Sequence, residues 1–206
     1  MLYRVLTLSR EYGSAGIYTA RMIANKLGWR LLDSELIDTI VEQARIDPKV
    51  AERFDERVDP WLHRISRKAL WHGAFEGVAE LDETAVFDAH TMAILTRRII
   101  LEAAELGGCV VVGRGAQCLL AGRADTFHVF AYAPRALRLE QLRKRLTDVE
   151  DIERAMDTVD RRRADYVRLN YSRDMYDHQM YDLMINTRVG IETAVDIVLY
   201  AMGHGA

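Results

Sequence analysis

A short glycine-rich turn near the amino terminus has the composition of a phosphate-binding loop. It lies between an apolar run at residues 3–8 and a segment with helical periodicity, and it consists of Gly13, Ser14, Ala15 and Gly16. Small residues let backbone N–H groups approach a phosphate, and the dipole of the following helix favours the negative charge. The turn therefore predicts phosphate binding through the backbone, as in a nucleotide site. A tight turn that needs glycine for its geometry alone is the alternative.

The side chains that usually assist such a loop are not in their usual places. The pattern GxxxxGK[ST] supplies a lysine as a point charge and a hydroxyl as a magnesium ligand. In this chain neither stands where that pattern requires it. Arg10, Ser14 and Thr19 are the nearby residues that could substitute for the missing charge and hydroxyl.

Arginines form two further groups that could bind phosphate. Arg114 lies between two glycines after the apolar run 109–112, and its planar fork suits a pair of phosphate oxygens. Asp160 and Arg163 share one face of a predicted helix, next to Arg161, and Arg138 lies on the helix before it. Converging arginines stabilise charge during phosphoryl transfer. The alternatives are a surface ion pair for Arg114 and a solvated charge run for the second group.

Alternating strands and helices must position these residues. Short apolar runs predict five strands, at 3–8, 29–32, 109–112, 127–132 and 182–186. Helical patterns separate the runs, so we expect a parallel α/β sheet. Ligands bind outside the carboxyl ends of such strands, where the glycine-rich turn, Asp33, Arg114 and Asn186 would meet.

Two segments interrupt this alternation. Residues 34–106 have helical patterns and no clear strand, which predicts a helical insertion that includes Trp61 and Trp71. A second helical, charge-dense stretch covers residues 138–178. An apolar pattern at 86–101 could also support a homo-oligomer.

Composition narrows the classes of function. The 206 residues suit a single domain, and the net charge of −3 argues against a nucleic-acid binder. The two cysteines form no metal or disulfide pattern, and we expect no metal site built from protein ligands. There is no signal pattern and no apolar stretch long enough to span a membrane. We therefore expect a cytoplasmic protein without a membrane partner.

The order of these motifs resembles that of the cytidylate kinase-like proteins, a branch of the P-loop nucleoside monophosphate kinases. The matching segments are SREYGSAG, LLDSELI, VVVGRGA, HVFAYAPRALRLEQLRKR, DTVDRRRADY and YDLMINT. The resemblance implies a three-layer P-loop kinase-like sheet in a single domain over 1–206, with an acceptor-binding insertion (34–106) and a lid (138–178). It also implies ATP with Mg²⁺ and a small phosphate acceptor such as CMP.

The resemblance assigns roles to individual residues. It implies acceptor binding by Asp33, Arg114, Asp160 and Arg163. It implies catalytic handling of the phosphates by Arg138, Arg161 and Arg163.

The chain also departs from the family pattern. The loop lysine's position falls on Gly16, the Ser/Thr position falls on Tyr18, and an arginine of the cytidylate kinases falls on Met156. Three hypotheses follow: a nucleoside monophosphate kinase, a nucleotide-binding regulatory module without turnover, and a kinase of another small acceptor that binds near Trp61 and Trp71.

Overall fold

The computed structural model describes residues 3–33, 36–37, 89–147 and 149–204. The chain divides into two compact units. The first consists of Met1–Asp33 together with Gly108–Ala206, and the second consists of Ser34–Gly107. Most of the predicted insertion, with Trp61 and Trp71, lies outside the described residues. Its role in acceptor binding stays a prediction.

A five-stranded parallel sheet forms the centre of the first unit. Its strands are β1 (Val5–Arg10), β2 (Arg30–Leu32), β3 (Cys109–Val112), β4 (Thr126–Tyr132) and β5 (Leu183–Asn186). They lie in the order β2-β3-β1-β4-β5, and every neighbouring pair is parallel. The predicted α/β class and the predicted strands are confirmed, with small shifts of the strand ends.

Six α-helices are described, five between the strands and one after β5. They are α1 (Gly16–Leu27), α2 (Ala89–Leu106), α3 (Ala116–Leu119), α4 (Arg135–Arg145), α5 (Ile152–Tyr171) and α6 (Ile191–Ala201). Two 3₁₀ helices, His178–Met180 and Thr187–Val189, flank β5. None of the helices in these ranges is long and apolar enough to cross a membrane.

Alternating side chains of β4 separate the two faces of the sheet. Val129 and Ala131 join a core that includes Ile23 of α1 and Val198 of α6. Phe130 points to the other face, where it packs with Val167 and Met175. The sheet is thus the middle of three layers. Covering both faces explains why β3, with the sequence CVVV, is buried throughout.

A buried histidine in the sheet gives a test of acid stability. Thr7 and His128 are paired across β1 and β4, and Thr7 Oγ1 lies 2.7 Å from His128 Nδ1. Burial lowers the pKa of His128, and the charge of Asp182 and a hydrogen bond with the backbone of Leu120 partly oppose this effect.

Because the pKa of His128 is lower in the folded protein, the unfolded chain binds a proton at this ring first as pH falls. The contribution of the neutral ring to the unfolding free energy is therefore complete above the ordinary histidine pKa and declines as pH falls below it. We expect His128→Gln to flatten the decline of the unfolding free energy between pH 7.5 and 5.5, measured in urea. His178→Gln, at an exposed position, should keep the wild-type slope. Equal slopes in all three proteins would contradict the prediction.

Candidate active site

The glycine-rich turn connects β1 to α1 through two left-handed residues. Gly13 has φ +82° and Ala15 has φ +58°, and Ala15 caps α1 without a side-chain hydrogen bond. The first turn of α1 contains no acidic residue. Since the first N–H groups of a helix lack intrahelical acceptors, this end of α1 can bind an anion through its backbone.

The hydroxyls that the sequence offers near the turn bind backbone carbonyls. Ser14 Oγ donates to Glu11 O at 2.8 Å and to Ala131 O at 3.2 Å. Thr19 Oγ1 donates to Ala15 O at 3.3 Å, and both side chains are buried. The geometry therefore favours the backbone, and not these hydroxyls, as the phosphate-binding part of the turn.

A residue that follows β5 forms a hydrogen bond with the backbone of the glycine-rich turn. Thr187 Oγ1 donates to Ser14 O at 2.7 Å and to Tyr132 O at 3.2 Å. The residue after Asn186 thus fixes the backbone of the turn, 173 positions away in the sequence.

Three arginines converge at the carboxyl ends of the central strands. Arg10 is the last residue of β1, Arg114 follows β3, and Arg163 lies on α5. Burial, together with the charges of Arg163 and Arg114, lowers the pKa of Arg10 to about 9, and the charge of Asp33 opposes this effect. Burial also lowers the pKa of Arg163, against the opposing effect of Asp160. Concentrated positive charge of this kind is suited to a phosphate group.

Arg114 has an unusual backbone conformation. It has φ +55° between Gly113 at +79° and Gly115 at +69°, so three consecutive residues are left-handed. A non-glycine residue in this region is uncommon and costs roughly 1–2 kcal/mol. Tyr171 Oη donates to Arg114 O at 3.3 Å, and the Arg114 guanidinium lies over the Tyr166 ring. Strain that the surroundings maintain in this way indicates a functional position.

A buried ion pair holds the turn against helices α4 and α5. Arg138 Nη1 lies 2.5 Å from Asp160 Oδ2 and donates to Tyr12 O at 3.3 Å. Asp160 Oδ1 accepts a 2.7 Å hydrogen bond from Tyr12 N, and Glu11 Oε2 lies 3.4 Å from Arg138 Nε. These contacts support a positioning role for Arg138 and Asp160.

The other predicted site residues lie in different surroundings. Asp33 follows β2 and is close enough to Arg10 for its charge to raise the pKa of Arg10. Arg161 is exposed and lies near Asp157, so the structure does not bring it to the three-arginine cluster. Met156 is fully buried in a small core with Leu139 and Leu142, where an arginine would not fit as a phosphate ligand.

Helix α5 positions most of this site through one face. Asp160, Arg163 and Tyr171 lie at helical spacing on it, and Arg163 Nη1 donates to Arg10 O at 3.1 Å. The sequence suggests Arg10 only as a substitute for the missing lysine, and it gives no signal for Tyr12. A charged residue at the carboxyl end of an otherwise apolar strand, as Arg10 is, is itself a signal of a site.

Gly113 allows a further test of the cluster. Arg10 Nη1 occupies the place that a Cβ atom on Gly113 would take. We expect Gly113→Ala to displace the Arg10 guanidinium and to reduce the thermal stabilisation by ATP. Gly28→Ala is the matched control, because Gly28 has φ +64° with no atom within 4 Å of the added Cβ. Both variants should lose roughly 1–2 kcal/mol of stability in urea. Equal ATP-induced shifts in the two variants would count against this geometry.

This sheet order, with a glycine-rich turn between its central strand and α1, is that of the P-loop kinase class. The chain belongs to the cytidylate kinase-like family, whose model matches residues 5–189. This confirms the resemblance seen in the sequence motifs. No curated protein matches the sequence.

Two solved structures share the fold at low sequence identity. An uncharacterised protein from Eubacterium ventriosum has a TM-score of 0.69 at 19% identity and covers 97% of this chain and 98% of its own. Shikimate kinase from Bacteroides thetaiotaomicron has a TM-score of 0.52 at 17% identity and covers 97% of this chain and 98% of its own.

Proposed function

We propose that this protein transfers a phosphoryl group from ATP to a nucleoside monophosphate, with CMP as the first candidate acceptor. Membership of a kinase-like family and a P-loop kinase fold support phosphoryl transfer in general. The observation that carries the proposal is the convergence of Arg10, Arg114 and Arg163 at the carboxyl ends of the central strands, beside the glycine-rich turn.

The roles follow from these positions. The donor phosphates bind the N–H groups at the start of α1, in the turn Gly13–Gly16. The acceptor's phosphate binds Arg114, near Asp33. Arg163 approaches from α5, while Arg138 and Asp160 hold the turn in place. Arg161 stays a predicted catalytic residue that would join only through a movement of α5.

The reaction requires positioning and charge stabilisation more than covalent chemistry by the protein. An oxygen of the acceptor's phosphate attacks the γ-phosphorus of ATP while the bond to the β–γ bridging oxygen breaks. ADP leaves with that bridging oxygen, and the acceptor becomes a diphosphate. Guanidiniums stabilise the negative charge on the transferred oxygens, and closure of the lid segment would exclude water.

The described residues do not fit a magnesium site held by the protein. Tyr18 stands at the Ser/Thr position, while the Ser14 and Thr19 hydroxyls bind carbonyls. No group of three metal-ligating side chains occurs in the described ranges. Magnesium would enter with its nucleotide as the substrate MgATP, and no step above depends on a protein ligand to it.

A second candidate function is nucleotide binding without turnover. It is favoured by Gly16, which replaces the lysine of the phosphate-loop pattern. The same backbone cradle would then bind ATP in a regulatory role. The third hypothesis, another small acceptor near Trp61 and Trp71, concerns residues outside those that the structure describes.

A coupled assay with ATP and each common nucleoside monophosphate tests the proposal. The expected result is diphosphate formation that is fastest with one acceptor and is lost in Arg114→Ala. ATP binding by calorimetry, without diphosphate formation from any monophosphate, would favour the regulatory module. An absence of both would reject both functions.

A further inference from the structure

Arg10 and Gly16 compete for the same space at the start of α1. A Cβ atom on Gly16 would lie 2.7 Å from Arg10 Cβ and 3.1 Å from Arg10 Cγ. At 2.7 Å the two Cβ atoms would clash, and because the backbone fixes both positions, only a shift of the backbone would relieve the clash. A lysine at position 16 therefore does not fit beside an arginine at position 10 on this backbone, and the missing side chain at Gly16 makes room for Arg10.

From this position, the Arg10 side chain crosses the carboxyl end of β3. Its Nη1 atom occupies the space beside Gly113 that only a glycine leaves open. Its backbone is fixed, because Arg10 pairs with Ala131 in the sheet and Arg163 Nη1 donates to its carbonyl. The guanidinium thus lies between the start of α1 and Arg114, on a rigid element.

Among the residues that the structure describes, no carboxylate forms an ion pair with Arg10, and Asp33 acts on its charge only from a greater distance. The charges of Arg163 and Arg114 act against it. A partly buried cation among other cations is unfavourable until an anion binds beside it. A phosphate group would supply this counter-charge.

We propose that Arg10 replaces the missing loop lysine, and that its guanidinium binds the oxygens of the transferred phosphoryl group between donor and acceptor. This inference rests on the proposed function. Arginine can donate to two phosphate oxygens at once, whereas lysine acts as a point charge. In this proposal, the positive charge beside the transferred phosphoryl group comes from a residue at the end of β1 and not from a lysine in the first turn of α1.

An exchange of side chains tests the replacement. Arg10→Gly and Arg10→Gln should each lower kcat about a hundredfold or more, as loss of a group that stabilises the transition state does. The double variant Arg10→Gly, Gly16→Lys should recover at least about tenfold over Arg10→Gly, because a lysine now has room. Glycine is needed at position 10, since an alanine Cβ would keep the 2.7 Å conflict. Gly16→Lys alone should be inactive or unstable.

Arg4→Ala is the matched control, because Arg4 lies before the other end of β1 and is largely exposed. It should keep wild-type kcat. A value of kcat within threefold of wild type in Arg10→Gln would overturn the inference. A folded double variant, judged by thermal unfolding, that is no faster than Arg10→Gly would overturn it as well.

A binding measurement separates this inference from the proposed function. If the wild type turns over no monophosphate, the proposed function fails, and the thermal shift caused by ATP still reports on Arg10. We then expect less than half of the wild-type shift in Arg10→Gln. An equal shift in the two proteins would overturn a phosphate-binding role for Arg10.

Discussion

Arg114→Ala should lower kcat/KM for phosphoryl transfer by about a hundredfold, because a charge-assisted contact with the acceptor's phosphate contributes up to roughly 3 kcal/mol. Arg114 is held in a left-handed conformation between two glycines, and the Tyr171 hydroxyl donates to its carbonyl. An alanine would keep this backbone but remove the guanidinium fork that we propose binds the acceptor's phosphate. A coupled spectrophotometric assay with varied monophosphate measures the effect.

Two control variants make this result specific. Arg114→Lys keeps the charge without the fork and should retain more activity than alanine. Arg123→Ala removes an arginine that pairs with Asp125 just before β4, at the opposite end of the sheet. It should keep wild-type kcat/KM. If Arg114→Ala stays within tenfold of wild type, the acceptor's phosphate binds elsewhere.

Asp160→Asn should destabilise the fold by roughly 3 kcal/mol, because the buried Arg138 guanidinium loses the nearer of its two carboxylates and keeps Glu11 Oε2, 3.4 Å from Arg138 Nε. The side chains of Arg138 and Asp160 are only 10% and 12% exposed, so water cannot replace the lost partner. The same carboxylate accepts the hydrogen bond from Tyr12 N, so the glycine-rich turn should also loosen. Urea unfolding measures the first effect, and the ATP-induced thermal shift measures the second.

Helices α4 and α5 provide a matched exposed pair. Arg135 Nη1 lies 2.6 Å from Asp157 Oδ1, and both side chains are about half exposed. Asp157→Asn should leave the urea midpoint unchanged within error, because water screens exposed pairs. If Asp160→Asn and Asp157→Asn lower the unfolding free energy equally, burial does not determine how much the Arg138–Asp160 pair contributes to stability.

The elements of this fold could be predicted because their signals are local. Apolar runs such as CVVV mark parallel strands that are covered on both faces, and glycines mark the ends of helices. Arg114 and Asp33 could be placed as well, because the carboxyl ends of parallel strands meet at one edge of the sheet.

The contacts within the site depend on packing between distant segments. Asp160 engages Arg138 only because α4 and α5 lie side by side. Arg10 reaches Gly113 only because Gly16 and Gly113 lack side chains. Ser14 turns inward because the carbonyls of Glu11 and Ala131 are adjacent to it. No periodicity or motif contains that information.

The hydrogen bond from Thr187 to Ser14 has a consequence for the order in which the protein is made. The ribosome synthesises the glycine-rich turn 173 residues before the hydroxyl that fixes its carbonyl. A nascent chain therefore lacks this hydrogen bond until β5 has left the exit tunnel and docked against β4. A chain that is released before β5 is made carries a turn without this support.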